Sequence, residues 1–171
     1  MALLSVSKTK PKGTTALLNQ AQGDDSTAVG SANQAQGNDS TAMGRSNTAQ
    51  LRGTAVGFQN QAQGDDSTAV GSANQAQGND STAMGRSNTA QLRGTAVGFQ
   101  NQAQGDDSTA VGSANQAQGN DSTAMGRSNT AQLRGTAVGF QNQAQGDDST
   151  AVGSQQWGLL TKLGQQHTGV C

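Results

Sequence analysis

Small residues return along this chain at a fixed phase. The tetrapeptide T-A-[VM]-G occurs ten times, from Thr27–Gly30 to Thr150–Gly153. Around each anchor the side chains alternate. In S-T-A-V-G, Ser26, Ala28 and Gly30 fall on one face and Thr27 and Val29 on the other. In N-Q-A-Q-G, Asn19, Ala21 and Gly23 share a face, and Gln20 and Gln22 oppose them. A period of two is that of a β-strand. The Gly, Asp and Asn residues between these stretches suit turns, which need positive φ or side-chain hydrogen bonds to the backbone. The pattern predicts short strands joined by tight turns.

These strands belong to a repeat. Asn19–Gln59 recurs unchanged as Asn60–Gln100 and Asn101–Gln141, and a fourth copy runs from Asn142 to Ser154. Each 41-residue unit divides into three segments, beginning at Asn19, Asn33 and Asn47, and the third is one residue shorter than the other two. A helix–turn–helix repeat needs thirty residues or more. Fourteen suit one coil of a β-solenoid, with two strands of about five residues and two turns. The predicted organisation is an N-terminal cap over 1–18, a repeat domain over 19–154, and a C-terminal cap or tail over 155–171. The apolar ends, with Leu3, Leu4, Leu17 and Leu18 on one side and Trp157, Leu159, Leu160 and Leu163 on the other, are suited to cover solenoid edges or to join molecules end to end.

Composition excludes a thick core. Of 171 residues only 22 are Leu, Ile, Val or Phe, and aromatics make up 2%. Such a chain is open to reading as a low-complexity disordered tract, but disorder does not require an apolar residue at one phase ten times over. The formal net charge is −1, and only Lys8, Lys10 and Lys12 form a basic cluster, so no nucleic-acid footprint is expected. No apolar run approaches the ~20 residues of a membrane span. The opening MALLSVSKTKPK is not read as a secretory signal, because its apolar stretch is short and its charges follow that stretch.

With S-T-A-V-G at Ser26–Gly30, S-T-A-M-G at Ser40–Gly44 and N-Q-A-Q-G at Asn33–Gly37, the repeat resembles the head repeats of trimeric autotransporter adhesins, the YadA-like head family. The resemblance spans Asn19 to Ser154. It implies a left-handed parallel β-roll in which three chains associate side by side, displayed outside the cell or on a cell or virion surface. Thr stands where the family has Val, and Val or Met where it has Ile. The family's signal peptide, coiled-coil stalk and β-barrel anchor have no counterpart here, so a head fragment, an engineered array and a phage fibre all remain open.

The residues themselves also favour a homo-oligomer. Ordering each residue costs roughly 1–2 kcal/mol, and burying a few methyl groups at ~0.8 kcal/mol each returns too little for one chain. If Ala fills the interior, Val29, Met43, Val56, Val70, Met84 and Val97 form an exposed seam that needs a partner. The opposite assignment puts Val and Met inside. Chemistry finds little material: His167 is the only His and Cys171 the only Cys, both in the tail, so catalytic residues, cofactors and metals are all expected to be none. The G-D-D-S and G-N-D-S turns at Asp24–Asp25 and Asn38–Asp39 hint at calcium, but Leu51 and Arg52 replace them in the third coil and point instead to charge balance. Ser31, Arg45 and Phe58 share one position after the anchor Gly, where recognition could reside. The predicted function is a non-enzymatic trimeric head or rigid adhesive module. A self-assembling filament is the alternative. Ice binding through the Thr27, Thr41, Thr54 column is a third reading.

Overall fold

A computed structural model describes residues 18–155 and the backbone of 157–158. The fold is an all-β parallel solenoid. Among the described residues twenty-one strands alternate in length: two-residue strands such as β1 (Gln20–Ala21) and β3 (Gln34–Ala35), and five-residue strands such as β2 (Thr27–Ser31), β4 (Thr41–Arg45) and β6 (Thr54–Phe58). Odd-numbered strands form one parallel sheet and even-numbered strands the other. The register never slips. Thr41 pairs with Thr27 and Thr54, Ala42 with Ala28 and Ala55, and Arg45 with Ser31 and Phe58. The third segment of each unit, one residue short, stays in phase because its missing residue is taken from a turn.

The interior is narrow and nearly free of large side chains. Ala28, Ala42 and Ala55 from the long strands meet Ala35, Ala49 and Ala62 from the short ones, all at most 2% exposed. Alternation along the long strand therefore resolves with Ala inward and Thr and Val outward. The largest fully buried side chain is Asn, once per coil from Asn33 to Asn142. These asparagines form a continuous ladder. Asn47 donates its backbone N–H to Oδ1 of Asn33 at 3.1 Å and its Nδ2 to the same oxygen at 2.9 Å. Its Nδ2 also donates to the carbonyls of Met43 and Gly57, each at 2.8 Å. A buried amide must be satisfied in this way, since an orphaned donor or acceptor costs about 1–3 kcal/mol.

The anchor glycine has two reasons to be Gly. Gly44 sits at φ +115, and a Cβ there would lie 2.1 Å from the carbonyl oxygen of Gly57 in the next coil. Close coil stacking thus excludes every side chain at this position.

One expectation about the coil needs correction. The short side carries two strand residues, not about five, because the Asn backbone N–H at its start bonds the Asn side chain of the preceding coil instead of a sheet carbonyl. The shortened coil loses its residue from the turn, and the turn tightens. In the middle coil the turn runs Gly37–Ser40, with the Ser40 N–H 3.3 Å from the Gly37 carbonyl. In the third coil it runs Gln50–Gly53, with a tighter Gly53 N–H to Gln50 carbonyl bond of 2.7 Å. Leu51 and Arg52 occupy its centre at φ 41 and 54, the double positive φ of a type I′ turn, which Asn-Gly would adopt more readily.

Candidate functional site

The long-strand sheet turns three columns of side chains outward. Thr27, Thr41 and Thr54 are half-buried. Next come Val29, Met43 and Val56, with Met43 40% exposed. The last column is Ser31, Arg45 and Phe58, aligned by strand register as one position. An apolar column along the whole outer face of a narrow rod is an unsatisfied surface, of the kind that marks an interaction site.

Two turn ridges flank this face, and their chemistry differs. Every Asp of the chain lies on the ridge that leads into the long strands, beginning with Asp24, Asp25 and Asp39. Arg52 interrupts that column. Its Nε and Nη2 donate to the two carboxylate oxygens of Asp66 at 3.0 and 2.6 Å, and Nη2 reaches Asp65 at 2.8 Å. The arrangement recurs at Arg93 with Asp106 and Asp107, and at Arg134 with Asp147 and Asp148. The Arg52 hydrogen bond holds the Asp66 carboxyl below its usual range, and the Asp66 and Asp65 carboxylates raise the guanidinium further above neutrality. These groups are exposed, so solvent screens the pairs.

The ridge that follows the long strands is free of acids among the described residues. Arg45 lies over the ring of Phe58, 5.7 Å from its centroid, and Arg86 and Arg127 repeat the contact with Phe99 and Phe140. Phe58 is exposed nonetheless, and so is Leu51 on the opposite ridge at 56%. Each Arg–Phe pair returns every third coil, about 14 Å along the rod.

The structure thus places the predicted Val and Met column outside, and it unites Ser31, Arg45 and Phe58 in one exposed row. Arg52 lies between the acidic turns of adjacent coils and engages that of the following one. The Asp24–Asp25 and Asn38–Asp39 turns use the Asn38 side chain structurally: its Oδ1 accepts from the Asp24 N–H at 3.1 Å. His167 and Cys171 lie outside the described residues, as does nearly all of the expected caps over 1–18 and 155–171. Sequence reasoning misses the buried asparagine ladder, although a signal is available: Asn opens every coil even where the following Gln becomes Thr at Thr48.

Residues 21–47, 51–74, 76–91, 92–115, 117–132 and 133–155 match the family model described as YadA head domain repeat. No curated protein matches the chain significantly.

Proposed function

This chain belongs to the family of YadA head domain repeats, and from that premise we propose that three copies associate side by side as the rigid, non-enzymatic head of a surface adhesin. The long-strand faces turn toward the common axis and bury the Val and Met column. The single observation that supports this reading is the outward position of that column, with Ala the one apolar side chain in each interior. A solenoid of this section has no room inside for larger apolar groups, so its Val and Met residues can leave water only against another molecule. The role follows from shape: a stiff rod that holds repeated surface features at fixed spacing outside the cell, with attachment rather than turnover as its output.

Sedimentation equilibrium tests the assembly. The chain is expected at three times its 17.2 kDa mass. Asp at Val70, Val97 and Val111 is expected to leave a β-rich monomer, because a desolvated carboxylate without a cation is strongly unfavourable. A triple variant that keeps the wild-type mass would remove these residues from any interface.

A further inference from the structure

A closed ring of three copies uses a heterologous contact: each protomer shows one surface to one neighbour and a different surface to the other. If the long strands face the axis, those two surfaces are the ridges on either side of them. The ridge entering the long strands of one copy meets the ridge leaving them in the next. Three-fold symmetry also sets the height. Equivalent residues lie at one level, so each coil faces the same coil of its neighbour to within a fraction of the ~4.8 Å spacing.

Resting on the trimeric reading above, we infer that the two ridges are complementary coil by coil and that this match favours the closed, level ring over staggered association of the same chains. In the middle coil of each unit the entering ridge carries Asp39 and the leaving ridge Arg45. In the third coil the entering ridge carries Leu51 beside Arg52, which takes the place of Asp39, and the leaving ridge carries Phe58. In the first coil Asp24 stands opposite Ser31. Charge meets opposite charge, apolar meets apolar, and a carboxylate meets a hydroxyl. The 41-residue unit repeats the same three matches along the rod.

Features that a single chain leaves unexplained then acquire a use. Arg45 stands on a ridge without acids among the described residues, while all the acids stand on the other. Leu51 is exposed in a backbone conformation that disfavours it, at the level of the exposed Phe58. Arg52, at the same level, is already held by Asp65 and Asp66 of its own chain, which leaves Leu51 as the residue offered outward. The Thr and the Val or Met columns of the long-strand face recur in every coil and would let two solenoids slide by one coil at little cost. The ridges forbid it. A slip of one coil in either direction sets Phe58 against Asp65 or Asp39, and Leu51 against Arg45 or Ser72.

The test is a charge swap on the full chain, read by sedimentation and by far-ultraviolet circular dichroism. Arg45, Arg86 and Arg127→Glu is one variant; Asp39, Asp80 and Asp121→Arg is another; the third combines both sets. All six positions are exposed, so the coil itself is expected to persist. Each single set is expected to weaken trimers about tenfold or more at low salt, and the combined swap to restore them. Single sets that assemble like wild type would overturn the inference and leave the trimer standing. So would a combined swap that stays dissociated with its β-signal intact. A wild-type chain that sediments as a monomer would instead remove the reading underneath.

A second measurement does not depend on charge. Cysteines at Asp80 and Arg86, in a Cys171→Ser background, cannot join within one chain. The strand Thr82–Arg86 alone separates them by about 13 Å, and a disulfide needs Cα atoms under about 7 Å apart. Mild oxidation is expected to yield covalent trimers. A trimeric sample that yields only monomers on a denaturing gel would refute the ridge contact.

Discussion

The inside of the solenoid and its two ridges obey different periods. Inside, the columns hardly change: one Asn, two Ala and the anchor Gly recur in each coil from Asn33 to Asn142, and only the buried Ser26 and Ser40 position becomes Gly53 in the third coil. On the ridges the residues change from coil to coil and return only in every third one: Asn38, Leu51, Asp65 on one side and Arg45, Phe58, Ser72 on the other. The reason lies in what each position touches. An interior residue is sandwiched between its own equivalents in the coils above and below, so a change in one coil is felt by both neighbours. A ridge residue faces outward and answers to whatever docks there. The short period therefore holds the instructions for folding, and the long period holds those for association.

Breaking one rung of the interior should have the largest effect. Asn88 accepts at Oδ1 from the Asn101 backbone at 2.9 Å and its Nδ2 at 3.1 Å, and donates to Asn74, Met84 and Gly98. Asn88→Ala strands groups on both sides, and chemical denaturation is expected to show a loss of about 3–5 kcal/mol. Next is overpacking. Ala90 is fully buried, and Ala90→Leu is expected to cost about 2–3 kcal/mol in the same assay. Equal stability in either variant would contradict an interior closed at every coil.

Ridge substitutions sharpen the contrast because their sign can reverse. Leu92 sits at φ 41, where Asn is more comfortable. Under conditions that keep the chain monomeric, Leu92→Asn is expected to raise stability by about 0.5–1 kcal/mol, while lowering the trimer fraction in sedimentation. The smallest effect is expected from Arg93→Gln. Its pairs with Asp106 and Asp107 are exposed, so the loss should be barely measurable and should shrink with added salt. Because Arg93 holds the Asp107 carboxyl below its ordinary range, that contribution is complete above the range and fades as pH falls through the lowered native value. Melting curves of wild type and variant should therefore differ at neutral pH and converge in strong acid.

Much of this was legible because a repeat multiplies its own signal. Ten copies of T-A-[VM]-G fix the coil length, and alternation pairs Ala28 with Ser26 against Thr27 with Val29. Other features were not legible, for reasons specific to each. The two-residue length of β3 depends on an N–H captured by a side chain one coil away. The strained turn at Leu51 follows from a deletion that could have been absorbed at several points. The contact of Arg45 with Phe58 joins residues a full coil apart in sequence that become neighbours only when adjacent coils stack.

By itself the sequence determined the period, the strand alternation and the poverty of large apolar side chains, because these are properties of the order of residues along the chain. Which face turned inward was decided by the tertiary structure. Two sheets joined by turns this short enclose a space that methyl groups and one amide per coil can fill. A Val or Met column cannot enter it, so Ala goes inside. The asparagine ladder was settled at the same level, since each amide is satisfied only when the coils before and after it are already in place.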